Sequence, residues 1–223
     1  APPMPAAPPC ARVADKPEPG ATARPRDAQD VYDFILDDPF RRSVLQAARS
    51  IGLPDGAIGA GFVRQPVWDH LHGYQATDKF ADIDVLYFGP SDVTPESELR
   101  IEQELGRRMP GVPWEVTNQA RMHLHNGDPA YRSTEDAITH WLETPTALAI
   151  RLAPRETGGL IAPFGLADLL AIQIKPTPAG IRRGDAYRQR LRQKNWHQRW
   201  PKVRMFDVDG TEIGAARLRA EFE

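Results

Sequence analysis

The stretch at residues 80–88, F-A-D-I-D-V-L-Y-F, constrains this chain more than any other. From Ile83 onward its residues are branched or aromatic, the composition of a buried strand. Two carboxylates, Asp82 and Asp84, nevertheless stand at its start. Residues two apart on a strand point to one face, roughly 6.6–6.8 Å from each other, while Ile83 and Val85 turn the other way toward a core. With no basic neighbour in sequence the two acids repel, and a divalent cation would relieve that repulsion. Mg²⁺ takes a few hard oxygen ligands and shares its shell with substrate phosphates. An Asp-x-Asp strand end offers such a half-shell. Standing alone, the same pattern also describes a solvated strand end.

The rest of the chain narrows the choice. At 223 residues it holds one domain of ordinary size or two small ones. The net charge of −2 gives no global attraction to nucleic acid or anionic membrane, so such a partner would have to meet a local patch. A single cysteine, Cys10, excludes an intramolecular disulfide and any multi-cysteine metal site. No stretch approaches the ~20 apolar residues that span a bilayer, and no basic region followed by an apolar run marks a signal peptide. The chain opens on Ala1 rather than Met, consistent with a missing upstream piece. A soluble, cytoplasmic protein without a membrane partner is the expectation.

Residues 1–26 are rich in Pro and Ala and poor in branched apolar residues. They are expected to form an extended, mobile tail carrying Cys10 as a free thiol. A folded domain is expected over 27–206. Asp38 reads as an N-cap with Pro39 at the first helical position, and Phe40, Val44, Leu45, Ala48 and Ile51 continue an apolar stripe closed by Gly52. After a P-D-G turn, small residues at 57–61 suit a strand in which Gly59 and Gly61 let a ligand approach the backbone. A helix is expected over 62–71. Arg64 near its start would stand beside free amides, a combination that favours phosphate, although a tight turn with a solvated Arg is the simpler account.

His70 with His72, and His123 with His125, form two H-x-H pairs. Positions i and i+2 on a helix do not face each other, so the first pair is a poor metal site, and both pairs are expected to be structural or substrate-facing. A helix is expected over 95–108, with Leu99 and Leu105 inward. Residues 114–123, W-E-V-T-N-Q-A-R-M-H, read as a strand with Trp114, Val116, Ala120 and Met122 on one face and Glu115, Thr117, Gln119 and Arg121 on the other. Paired beside the Asp-x-Asp strand, it would bring Glu115 to the two aspartates.

Ser133 with Asp136 starts a further helix through Trp141. A strand is expected at 146–152, then a turn and short helix at 161–170. Residues 181–204 are strongly basic, with Tyr187, Trp196 and Trp200 interleaved. Such a mixture stacks bases and holds phosphates, or packs its aromatics inward and leaves its cations in water. Residues 207–223 form a polar C-terminal segment, with a turn at Asp209-Gly210 and a short helix.

A glycine turn entering a helix, a strand with Asp-x-Asp, and a later strand with an acid: this order resembles the nucleotidyltransferase superfamily typified by DNA polymerase beta. More closely, G-A-G-F-V-R, V-W-D-H-L-H-G-Y, D-I-D-V-L-Y-F, W-E-V-T-N-Q-A-R-M-H and the closing N-W and R-W-P resemble a bacterial nucleotidyltransferase-like family formerly of unknown function. The likeness spans residues 44–201. It implies an α/β fold of the α+β type, a mixed sheet flanked by helices, with two Mg²⁺ ions at the aspartates. Asp82 and Asp84 match the paired metal ligands. Glu115 stands where a third carboxylate is expected, a position at which many relatives carry Asp, and would also accept a proton from the attacking oxygen. Gly59 and Gly61 correspond to the superfamily's glycine pair, here split by Ala60 with no serine following, and Arg64, Arg121 and Lys194 are candidates to neutralise a triphosphate. The implied reaction moves a nucleoside monophosphate from a nucleoside triphosphate such as ATP to an acceptor hydroxyl, on a small molecule, a protein or an RNA. A catalytically inactive nucleotide- or RNA-binding module of the same fold is the alternative, and a protein that works by docking its proline-rich tail is another.

Overall fold

A computed structural model of the chain describes residues 24–214 apart from 76, 78 and 153–158. The expected tail over 1–23, Cys10 and the expected helix beyond residue 214 lie outside the described residues. Two capped helices come first. In α1 (Ala28–Asp37) the Asp27 side chain accepts from the Asp30 amide, and in α2 (Pro39–Arg49) Asp38 accepts from the Arg41 amide with Pro39 in the first turn.

Five strands then build a mixed sheet in the order β3-β2-β1-β4-β5: β1 (Ala57–Gly59), β2 (Ile83–Tyr87), β3 (Trp114–Asn118), β4 (Ala149–Arg151) and β5 (Leu160–Ile161). Strand β1 lies centrally and antiparallel to both β2 and β4. Strand β3 runs parallel to β2, which demands a crossover. Between β1 and β2 runs α3 (Gly61–His72), and the crossover from β2 to β3 is α4 (Pro95–Arg108). After β3 come α5 (Gln119–Asn126) and α6 (Thr134–Ile138), then β4 and β5, α7 (Ala167–Leu170), β6 (Gln173–Ile174), α8 (Pro178–Arg182) and α9 (Gly184–Lys194). The one-turn α10 (Trp196–Arg199) precedes β7 (Arg204–Met205), which pairs in parallel with β6. A turn at Asp207–Gly210 follows, with Gly210 at φ 82° and its amide donating to the Asp207 carbonyl at 3.0 Å. Among the described residues no helix is long and apolar enough to cross a membrane.

The two faces of the sheet are covered unequally. Ile58, Ile83, Val85 and Ile150 face a large core filled by α1, α2, α3, Leu105 of α4, and Tyr187, Leu191, Trp196 and Trp200 of the C-terminal helices. Ala57, Leu86, Ala147, Ala149 and Ile161 face a much smaller cluster with Ile138. Side chains alternate along a strand, so Asp84 shares the thin face with Leu86. The sheet leaves its acids where the cover is sparse.

Three expectations change. The strand at Trp114 stops at Asn118 and the chain turns into α5, because the buried Asn118 side chain accepts from the Ala120 amide as an N-cap. His123 and His125 therefore sit two apart on a helix and share no face. Leu99 is 53% exposed while its neighbour Glu98 is buried. Ile161, expected to begin a turn, pairs together with Leu160 against β4 as an edge strand.

Candidate active site

The pairing of β2 with β3 sets Asp84 directly opposite Glu115, one rung above the pair Ile83 and Trp114. Adjacent strands lie about 4.7–4.9 Å apart, so the parallel crossover brings the two acids side by side, with Asp82 just before the strand. Asp82 and Asp84 are half-buried and Glu115 is exposed. Burial, and then the charges of Asp82 and Glu115, push the Asp84 carboxyl up to about 7, against the opposing pull of Arg190 and Lys194. Among the described residues none of the three carboxylates is held by a hydrogen bond or ion pair. Nor do three or more His, Cys, Asp or Glu groups there form a closed metal shell. A hard, anionic donor set with no ion-pair partner of its own suits Mg²⁺, which keeps water and substrate oxygens in its shell.

The glycine turn lies next to these acids. Ala60 adopts φ 50° and ψ −115°, a conformation costly for any residue with a Cβ, and it precedes α3 without a side-chain cap. The Gly61 and Phe62 amides donate to nothing among the described residues, leaving a helix N-terminus open to an anion. Gly59 has another purpose. A Cβ there would come within 2.9 Å of Leu86 Cδ1 and 3.0 Å of Trp141 Cη2, so its absence lets Trp141 close against the sheet. Gly61 meets only Arg64, at 4.0 Å.

Ala60 and Asp84 open onto a cleft of about 240 Å³ whose other walls include Trp141, Thr146, Arg183 and Arg190. Arg64 lies behind this cleft, buried, with its guanidinium 5.2 Å from the Trp196 ring and 5.6 Å from Trp68, donating to the Thr146 hydroxyl at 2.7 Å. Burial lowers its pKa to about 10, although Glu143, Asp84 and Asp82 pull the other way. The expectation of a solvated Arg64 is thus corrected. Its charge acts on the acids through the wall. Glu143 is buried and raised by desolvation, with Arg190 Nε 2.7 Å from its Oε1.

Arg121 is turned elsewhere. It sits on α5 and grips Glu98 through two prongs, at 2.6 and 2.9 Å, away from the cleft's lining. Lys194 is exposed at the end of α9, and its charge reaches Asp84. Of the histidines, His72 is structural: its ring bonds to the Trp68 carbonyl at 2.7 Å and the Lys202 amide at 3.1 Å. Asp69 fastens α10 to α3, accepting from Arg199 at 2.9 Å and Trp200 Nε1 at 2.8 Å.

Arg190, Glu143, Thr146 and His140 were not expected in the site. Arg190 had one available signal: it precedes Lys194 by four residues and so shares its helix face. The others reach the cleft from the irregular chain between α6 and β4, where no periodicity announces a direction.

A nucleotidyltransferase family model matches residues 46–205. A solved structure described as revealing a CCA-adding enzyme head domain is 32% identical, with a TM-score of 0.74, over 84% of this chain and 98% of its own. The Thermotoga maritima CCA-adding enzyme complexed with tRNA is similar over 82% of this chain at 20% identity, TM-score 0.52. A CCA-adding enzyme in complex with CTP aligns likewise at 20% identity, TM-score 0.53. These last two share the fold, and this chain covers 43% and 44% of their lengths. No curated protein sequence matches.

Proposed function

The chain belongs to the nucleotidyltransferase family, and from that premise we propose that it moves a nucleoside monophosphate from a nucleoside triphosphate to an acceptor hydroxyl, with release of pyrophosphate. The observation that carries this is the Asp84–Glu115 rung beside an uncapped helix N-terminus. An acidic pair and an anion-binding turn on one wall are what a triphosphate and its cations require together.

Asp82, Asp84 and Glu115 would hold Mg²⁺, which when bound offsets the charge that builds on the reacting phosphate. The chain's own groups do the remaining work. The Gly61 and Phe62 amides bind phosphate oxygens, and Arg190 and Lys194 balance charge from across the cleft. Thr146, fixed by Arg64, and Trp141, seated on Gly59, shape the wall that excludes water. Solved relatives include CCA-adding enzymes in complex with CTP and with tRNA, which makes an RNA end the first acceptor to try.

The test is incubation with each of the four α-labelled triphosphates, MgCl₂ and a cell extract, followed by identification of what acquires label. The double variant Asp82→Ala/Asp84→Ala should lose at least about 1,000-fold in rate while keeping its far-UV circular dichroism. Undiminished labelling by that variant would overturn the proposal. Binding of triphosphate by calorimetry with no turnover in any extract would favour the inactive module instead.

A further inference from the structure

His140 stands in the same cleft as Asp84, and the surrounding chain treats it unlike the other histidines. It follows α6 in a turn closed by its own amide donating to the Ala137 carbonyl at 3.0 Å. Its Nδ1 is buried 3.1 Å from Asp128 Oδ2 without a hydrogen bond, a contact that becomes an ion pair when the ring carries a proton. Asp128 is itself held: the Tyr131 hydroxyl donates to Oδ2 at 2.7 Å, Asn126 Nδ2 donates to that hydroxyl at 3.0 Å, and Arg182 stands 3.8 Å from Oδ1. The Tyr131 ring packs on the imidazole, centroid to centroid 4.6 Å, and Arg183 donates to the His140 backbone carbonyl. Position and tilt of the ring are therefore fixed from several sides. Its Nε2 has no partner among the described residues, and the side chain is 21% exposed.

The other titratable groups of the cleft are committed. Arg183 and Arg190 are hydrogen-bond donors with no acceptor position for a proton. Glu143 is buried against Arg190. Asp84 belongs to the acidic rung, and Glu115, on the exposed strand face, does not line the cleft. Among its lining residues His140 is the one imidazole, and its outer ring nitrogen is left without a partner among the described residues.

We propose that His140 is the general base of the transfer, with Asp128 and Tyr131 as its positioning residues. The proposal rests on the nucleotidyl-transfer reading and assigns the proton to His140 in place of Glu115. In the step, the acceptor oxygen bonds to the α-phosphorus as its proton passes to His140 Nε2. The bond from the α-phosphorus to the bridging oxygen breaks, and pyrophosphate leaves with that electron pair. The imidazolium formed beside the Asp128 carboxylate later returns its proton to water. Charges that face this imidazolium are Asp128 and Asp136 on its own side, Arg182 and Arg183 from the α8–α9 segment, and Asp84, Glu143 and Arg190 across the cleft.

The experiment is pyrophosphate release by the full chain with each of four triphosphates, saturating MgCl₂ and a deproteinised cell extract as acceptor source, from pH 5 to 9. For His140→Gln we expect a kcat lower by about 100-fold, a triphosphate KM within twofold of the original, loss of the acidic limb of the pH profile, and partial rescue of His140→Gly by added imidazole. Asp128→Asn should move that limb to more acidic pH, because the imidazolium loses its counter-charge. An acidic limb unchanged in His140→Gln, or a rate undiminished, overturns the base assignment while leaving nucleotidyl transfer standing. Absence of release by the original chain with every triphosphate overturns both.

Discussion

Glu98 on α4 and Arg121 on α5 form a two-pronged ion pair, Oε2 to Nη2 at 2.6 Å and Oε1 to Nε at 2.9 Å, and the same Oε1 accepts the Asn118 amide at 2.6 Å. The pair thus clamps the point where β3 gives way to α5. Glu98 is buried and Arg121 is one-third exposed, so removing the arginine strands a carboxylate. We predict that Arg121→Ala lowers unfolding free energy by about 2 kcal/mol and changes triphosphate affinity less than about threefold. Urea unfolding and calorimetry with a triphosphate check the two halves. A selective loss of affinity at unchanged stability would return Arg121 to the site.

Lys194 should behave in the opposite manner. It is exposed at the end of α9 and its charge reaches Asp84, so Lys194→Ala should leave the midpoint of unfolding within about 0.5 kcal/mol. Triphosphate KM should rise by about tenfold, one charge-assisted contact's worth. Steady-state kinetics with the preferred triphosphate decides it.

Metal-free protein carries a stability penalty at the acidic rung. Asp84 titrates at about 7 in the fold against a reference of 3.8, so between these values the folded state binds more protons than the unfolded. The contribution of Asp84 is therefore most favourable below about pH 4, declines as pH rises toward 7, and stays low above. Asp84→Asn should stabilise the protein in EDTA at pH 8 by about 1–3 kcal/mol, with the difference vanishing near pH 4. A lower melting temperature for the variant at pH 8 would contradict this.

Opposite effects are expected from two neighbours in the glycine turn. Ala60→Gly relieves a positive φ and should stabilise by about 1 kcal/mol. Gly59→Ala forces a Cβ against Leu86 and Trp141, and should cost about 1–3 kcal/mol while shifting the indole fluorescence of Trp141. Chemical denaturation of both variants measures the contrast.

Local chemistry made part of this legible in advance. Asp38 with Pro39, the start of α6 at Ser133 with Asp136, and the extent of α4 are set by residues within a turn of one another, although α6 ends at Ile138 rather than reaching Trp141. The rung between Asp84 and Glu115 also followed from alternation, once β3 was placed beside β2. Asn118 was less readable. Its side chain binds the Gly89 amide and carbonyl as well as capping α5, and W-E-V-T-N-Q-A-R-M alternates as well as a strand does. Glu98 and Leu99 exchange their expected places because a buried ion pair outweighs one apolar side chain, and the partner lies 23 residues away. The basic stretch behaved as its simpler account had it for Tyr187, Leu191, Trp196 and Trp200, which are buried. Arg190 enters the cleft only because α9 docks there, a fact of tertiary packing.

That docking has an order in time. Asp82, Asp84 and Glu115 leave the ribosome long before Arg190 and Lys194, and Asp69 waits for Trp200 until later still. A growing chain therefore carries Asp82 and Asp84 for more than 100 residues before the cations of α9 exist, and the cleft cannot close until that helix has been made.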